Sequence, residues 1–230
     1  MQRAARRIHG SKIQEAMNEI QYINWWIGEN RNRESQDLTI DDVTVRVNKE
    51  VFTPDPALTN SSLVVLNNLP DLTGKSVLDV GTGCGILAIH AALHGASRVT
   101  AVDINPDAVA NARENVQRYG LEKTVEVVQT NLFDGLTQQY DLILANLPIL
   151  GAVWNDLTGP VSKVYERFLA EFDRYLIHPN GKVLMGFASF GDLEKITGMI
   201  SSSPYLVSQK SEQKFGVNWY VFEFSANNNR

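Results

Sequence analysis

Along the chain, apolar residues first recur at helical spacing over residues 12–27, where Ile13, Met17, Ile20 and Ile27 share a side and Tyr22, Trp25 and Trp26 widen it. Gly28 is expected to stop this helix, and the polar stretch from Glu29 to Asp37 reads as a linker. Residues 38–52 alternate in part through Val43, Val45 and Val47, which predicts a small strand pair. Thr53-Pro54-Asp55-Pro56 breaks that pattern ahead of a helix over 57–69. The pattern then sharpens. Ser76–Val80 is a short apolar strand ending in a glycine turn, Ile86–Leu93 a helix closed by Gly95, and Arg98–Asp103 a second strand. Asn105 caps the next helix, Pro106 suits its first turn and Gly120 its end, with Val109, Ala112, Val116 and Tyr119 as the buried stripe. Further strands are expected at Thr124–Val128 and Asp141–Ala145. A helix over Val161–Ile177 turns Tyr165, Phe168, Phe172 and Leu176 inward. Pro179-Asn180-Gly181 leads into a strand at Lys182–Phe187, a helix follows near 192–202, and two strands near 205–210 and 217–224 are close enough to pair antiparallel. Strands alternating with helices predict an α/β fold, a doubly wound and mainly parallel sheet covered on both faces.

Composition narrows the class. Of 230 residues, 43% are hydrophobic and 20% charged, which excludes a wholly disordered chain. A chain this long needs no disulfide or metal staple. Its one cysteine, Cys84, excludes a disulfide scaffold and a cysteine-built zinc site and suits a reducing, cytoplasmic setting. No apolar run reaches the length of a membrane span, and the arginines near the start lack the apolar stretch of a secretory signal. Net charge is −5, which argues against tight nonspecific binding to a nucleic-acid backbone. That charge is uneven: residues 1–33 carry six cations and three anions.

The strongest chemical signal is Val77-Leu78-Asp79-Val80-Gly81-Thr82-Gly83-Cys84-Gly85-Ile86. A buried strand runs into three alternate glycines and then a helix, an arrangement that permits tight turning and close approach of backbone to a ligand. Asp103 closes the following strand, where a carboxylate can accept hydrogen bonds from both hydroxyls of a ribose. A dinucleotide site would put glycine at position 86, and this chain has Ile86.

With Asp79 ahead of it, this G-x-G-x-G run resembles motif I of the class I S-adenosylmethionine-dependent methyltransferases, and the resemblance covers residues 52–224. It implies a Rossmann-like seven-stranded sheet with an antiparallel last strand, S-adenosyl-L-methionine as cofactor, and a methyltransferase domain at 38–230 behind an N-terminal helical extension, 1–37. It further implies roles for individual residues. Gly81, Gly83 and Gly85 shape the cofactor floor, Asp79 sits near the methionine ammonium, and Asp103 clamps the ribose with Ile104 against the adenine. Asn131 and Leu132 read the adenine edge. Thr53, in Phe52-Thr53-Pro54, resembles the Thr-Pro entry motif of amino-methyltransferases that holds the methionine carboxylate. Asn146-Leu147-Pro148-Ile149 looks like a variant of the Asn-Pro-Pro-Tyr motif of enzymes that methylate planar nitrogens, release-factor glutamine methyltransferases among them; its Asn-Leu pair also resembles a stretch of the ribosomal protein L11 methyltransferases. In this reading Asn146, Leu147 and Pro148 carry the chemistry, with Asn146 also at the cofactor, and Ile149 and Trp154 face the substrate.

Ile149 stands where an aromatic residue would stack on a flat target, so the acceptor is expected to be a nitrogen of a protein side chain or a small molecule, and nucleic acid less so. The alternatives are a nucleic-acid base N-methyltransferase, a catalytically silent cofactor-binding scaffold, and a dinucleotide-dependent oxidoreductase, the last disfavoured by Ile86. His90 and His94 stand four apart, a spacing that can set two imidazoles on one face; no Glu occupies position 91 and no third ligand is evident, so no metal is expected. The sequence says nothing of oligomeric state.

Overall fold

The structure is a computed structural model that describes residues 18–31, 33–149 and 160–226. Its centre is a seven-stranded sheet built from β3 (Ser76–Val80), β4 (Arg98–Asp103), β5 (Val125–Gln129), β6 (Leu142–Ala145), β7 (Lys182–Ala188), β8 (Leu206–Lys214) and β9 (Val217–Ser225). The order across the sheet is β5-β4-β3-β6-β7-β9-β8. The five strands from β5 to β7 run parallel, while β9 is antiparallel to both its neighbours. This is the expected doubly wound α/β sheet with an antiparallel last strand. The order reverses at β3, and the crevice beside such a switch point, at the carboxyl ends of the strands, is where open α/β sheets bind ligands.

Strand periodicity builds two cores. Val77, Leu144, Leu184 and Val221 face one side, with Leu78, Ile143, Val183 and Phe222 on the other. The first core is covered by α1 (Glu19–Arg31), α2 (Ser61–Leu66), α3 (Ile86–Leu93), α4 (Pro106–Arg118) and a two-stranded hairpin of β1 (Gln36–Ile40) and β2 (Val43–Val47). The second is covered by α5 (Val161–Glu171), the 3-10 turn Phe172–Tyr175 and α6 (Leu193–Ser201). No described helix is long and apolar enough to cross a membrane.

Some boundaries differ from expectation for identifiable reasons. The first helix runs through Gly28 to Arg31. A mid-helix glycine costs only about 1 kcal/mol, and burial of Tyr22 and Trp26 outweighs that. Residues 12–17 lie outside the described residues. The helix expected over 57–69 forms only at 61–66, because Asp55 through Thr59 turn on the Asp55 carbonyl. The helix expected to reach Ile177 gives way to the 3-10 turn at Phe172, and Leu176 then bridges Tyr140; the four aromatic and aliphatic side chains assigned inward are all buried.

The hairpin is joined to the site by two asparagines buried on α4. Asn115 exchanges hydrogen bonds with the Arg46 backbone, accepting from its N–H at 2.8 Å and donating to its carbonyl at 2.7 Å, and donates to the Cys84 carbonyl at 2.9 Å. Asn111 accepts from the Asn48 N–H at 3.0 Å and donates to the Arg46 carbonyl at 3.0 Å. Polar groups of β2 that would otherwise be buried and unpaired are thus satisfied, and the glycine turn is tied to the hairpin.

Candidate functional site

At the carboxyl edge of β3, β4 and β6 the chain leaves an open cleft of about 1260 Å³, its mouth included. Its floor is the turn Gly81-Thr82-Gly83-Cys84, where both glycines have positive φ (75° and 57°). A Cβ on Gly81 would stand 3.2 Å from Leu147 Cδ2, whereas one on Gly83 would meet nothing within 4 Å. Gly81 therefore makes room for the β6 loop, and Gly83 leaves bare backbone towards the cleft. Gly85 does a different job. It caps α3 at φ 86°, away from the cleft wall, and a Cβ there would lie 3.3 Å from Ala112 Cβ, so glycine lets α3 seat on α4.

Asp103 ends β4 on the far wall. Its Oδ2 accepts from the Gly83 N–H at 2.9 Å and its Oδ1 from the Asn105 N–H at 2.9 Å. One carboxylate thereby fixes the glycine turn and the start of α4, and each oxygen keeps lone-pair capacity for a further donor. Burial pushes its carboxyl above the usual range, against the backbone N–H groups that favour the charge. Ile104 and Asn105 continue the wall, and Thr130, Asn131 and Leu132 close that end. Leu132 holds a left-handed φ of 53°, uncommon for a non-glycine residue and typical of places where function fixes the backbone.

Asp79 lies below the floor and is fully buried. Its Oδ2 accepts from the Thr82 hydroxyl at 2.6 Å, and its Oδ1 has no hydrogen bond. Burial, with the Asp103 charge adding to it and the Thr82 hydroxyl opposing, pushes this carboxyl up to about 7. Thr53 is also fully buried away from the lining, with its hydroxyl unpartnered.

The opposite end of the cleft is Asn146-Leu147-Pro148-Ile149, after β6. Asn146 Nδ2 donates to Ser62 Oγ at 3.1 Å and Ser61 Oγ at 3.3 Å, which orients the amide and leaves its Oδ1 as an acceptor. The Leu147 carbonyl accepts from the Tyr165 hydroxyl at 3.2 Å. Burial raises the Tyr165 pKa, so the phenol remains a donor, and the carbonyl keeps its second lone pair. Two acceptors thus sit on successive residues of the loop at this end of the cleft, with the Leu147 carbonyl facing the buried Tyr165. Trp154 lies outside the described residues.

Several lining residues escaped the sequence reading. Trp26, read as packing, lines the cleft with Phe52, Phe190 and Trp219 as an aromatic side wall, and Thr59, Ser61 and Ser62 supply hydroxyls. A trace of signal existed in Ser61-Ser62, two small polar residues at the head of an apolar helix. None marked Phe190 or Trp219, which reach the cleft from the far end of the sheet. Arg33, one of the six cations of residues 1–33, is buried, and its Nη2 donates to the carbonyls of Asn48 and Val51 in the loop leading to Phe52.

The ribosomal protein L11 methyltransferase (PrmA) family model matches residues 53–167, half of the 230-residue chain. The chain belongs to this family. The match opens at Thr53 and takes in the glycine turn, Asp103, Asn131 and Asn146. Among curated relatives, the L11 methyltransferase of Carboxydothermus hydrogenoformans is 46% identical over 99 residues, 42% of this chain and 32% of that one. A candidate protein N5-glutamine methyltransferase of Methanocaldococcus jannaschii is 34% identical over 113 residues, 49% of this chain and 54% of that one. The matched stretch thus spans about a third to a half of these relatives. The crystal structure of an L11 methylase from Lactobacillus delbrueckii subsp. bulgaricus shares the fold with a TM-score of 0.57 at 24% identity, covering 77% of this chain and 82% of that one. A Pyrococcus furiosus methyltransferase does so at 0.60 and 21%, covering 80% and 90%.

Proposed function

We propose that this chain is an S-adenosylmethionine-dependent methyltransferase acting on a nitrogen of a protein side chain or a small molecule, with residues 38–230 as the methyltransferase domain and 1–37 as its extension. The observation that carries this reading is one cleft with the Asp103 carboxylate at one end and the Asn146-Leu147 loop at the other, across a bare glycine floor. The relatives' names point to proteins as the acceptor class, a ribosomal protein in one and the glutamine N5 in the other.

In this reading Asp103 grips the two ribose hydroxyls, Ile104 packs on the adenine, and Asn131 with the Leu132 backbone takes its edge. Asp79 and Thr53, both buried behind the cleft lining, would reach the methionine ammonium and carboxylate once the turn and loop that cover them shift aside. When bound, the sulfonium supplies an electrophilic methyl group. The protein's part is then positional. Asn146 Oδ1 and the Leu147 carbonyl accept the N–H bonds of the incoming nitrogen, which turns its lone pair towards the donor and favours pyramidal geometry. Pro148 and Ile149 line the cleft beside these acceptors, with Ile149 towards the substrate. Trp26, Phe52 and Trp219 exclude water from the path.

Incubation of a cell extract with the protein and isotope-labelled donor, read by mass spectrometry, tests the reading. Label on a nitrogen of a protein side chain or small molecule is expected. Label confined to nucleic acid would overturn the acceptor assignment, and donor binding without transfer would make the protein a silent scaffold.

The Asp79 carboxyl also predicts a pH dependence. Its pKa of about 7 in the fold, against an ordinary 3.8, means that the folded chain holds this proton more tightly than the unfolded one. The group therefore favours folding most below about pH 4 and loses that contribution as pH rises through 7. An ammonium docked against it reverses the preference and favours the carboxylate. Donor affinity should fall on the order of tenfold or more from pH 7.5 to 5.5, and Asp79→Asn should flatten the profile. Calorimetry across that range checks it; an unchanged slope in Asp79→Asn removes Asp79 from the ammonium site.

A further inference from the structure

The two-residue turn of the β1–β2 hairpin, Asp41-Asp42, lies against the C-terminal end of α3, on the side away from the cleft. There His90 and His94 stack their rings at a centroid distance of 3.9 Å and an angle of 12°, so one ring must turn for both Nε2 lone pairs to meet on one ion. His90 Nε2 lies 3.2 Å from Asp41 Oδ2 and 3.9 Å from Asp42 Oδ1, and His94 Nε2 lies 3.4 Å from Asp42 Oδ2. The third group that the His-x-x-x-His spacing lacks in sequence thus comes from a turn far upstream in the chain.

We propose that Asp42, His90 and His94 form a binding site for a divalent late transition-metal ion such as Zn2+, which clamps the hairpin to the end of α3. Three observations on geometry carry this. One donor atom from each residue lies within 4.8 Å of the others. Two donors on one tetrahedral zinc, each at about 2.0–2.1 Å, stand roughly 3.4 Å apart, close to the spacing between His94 and Asp42. The tautomer of His94 is also set. Its Nδ1 lies 2.8 Å from the His90 carbonyl oxygen, which can only accept, so Nδ1 carries the hydrogen. In the neutral ring Nε2 is then a bare lone pair, and it faces a carboxylate oxygen that is also an acceptor. Two acceptors hold that arrangement when a cation stands between them. A backbone carbonyl that fixes the far nitrogen of a ligating histidine is the usual outer support of such a site.

Two imidazoles with one carboxylate suit zinc, nickel, copper or cobalt over magnesium or calcium, which prefer all-oxygen sites. Asp41, one residue earlier in the turn and at a left-handed φ of 55°, faces His90 Nε2 at 3.2 Å and is not one of the three converging donors. The role is structural. The glycine turn opens α3 at its other end, about 12 Å away along an eight-residue helix. An ion at the far end stiffens the helix that supports the cleft floor without touching it.

The test uses the untagged full chain, freed of metal by a chelator and titrated with Zn2+ by calorimetry, with Co2+ as a second, coloured probe. One equivalent of Zn2+ should bind in the micromolar range or tighter, and Co2+ should give visible bands of a nitrogen- and oxygen-ligated ion. His94→Ala, at a half-exposed position, should weaken Zn2+ binding by at least about tenfold while leaving the melting temperature of the chelated protein within a few degrees. Asp42→Asn should weaken it similarly. His178→Ala, which removes an imidazole paired with Asp173 elsewhere on the surface, should leave it unchanged. Absence of saturable one-to-one binding, or binding that survives His94→Ala, overturns the site and leaves a proton-mediated pairing of His94 with Asp42. The readout needs no methyl transfer, so it stands or falls apart from the enzyme reading.

Discussion

Replacing Asp103 by alanine is expected to weaken binding of S-adenosylmethionine about a hundredfold. The carboxylate is placed to accept two hydroxyl hydrogen bonds, and bonds to a charged acceptor contribute roughly 1.5–3 kcal/mol each. The loss of about 3 kcal/mol corresponds to two orders of magnitude in affinity. A second loss adds to the first. Asp103 accepts from the N–H groups of Gly83 and Asn105, so without it the glycine turn and the head of α4 lose their common anchor. Asp103→Asn separates the two effects. An amide keeps one acceptor oxygen and much of the turn, but gives up the charge, so its affinity should fall between wild type and alanine. Calorimetry gives the affinities and thermal melts the fold. An Asp103→Ala protein that melts as wild type and binds the donor within threefold of it removes Asp103 from the ribose site.

The elements most legible in sequence are those whose ends are set by local chemistry. Bounds for β3, α3 and β4 agree residue for residue, because each apolar run stops at a glycine or at Asp103. The cap at Asn105 is as expected, its side chain accepting from the Asp107 N–H at 2.9 Å. Where competing terms are small, the reading slips. Gly28 is a weak stop once Trp26 is buried, and the end of α5 is set by the isolated Tyr140–Leu176 bridge, whose partner lies far away in sequence. The same division runs through the candidate site. The floor and both ends lie in short contiguous motifs and could be named, whereas the aromatic wall of Trp26, Phe190 and Trp219 converges from three separate segments. The position of Asp79 beneath the floor was also hidden, since a one-dimensional motif lists a residue without saying on which side of the backbone it falls.

Asn146→Ala should leave donor affinity within threefold of wild type and lower the rate of methyl transfer by on the order of 10²–10³. Asn146 and Asp103 line opposite ends of the cleft, so the donor loses little when the amide goes. The acceptor loses one of two hydrogen-bond acceptors that set its lone pair, and an effect confined to the reacting geometry appears in turnover rather than in binding. The hydroxyls of Ser61 and Ser62, which Asn146 Nδ2 engages at 3.3 and 3.1 Å, are relieved of that partner but border an open cleft where water can replace it. Stability should therefore change little. Ser61→Ala with Ser62→Ala tests the support: with the amide no longer held, transfer should slow by a smaller factor, about tenfold, while donor affinity holds. Single-turnover transfer from labelled donor, measured beside calorimetry on the same samples, resolves the two quantities. A rate within tenfold of wild type in Asn146→Ala would leave the Asn-Leu-Pro-Ile loop as a wall of the cleft and move the orienting role to the hydroxyls of α2.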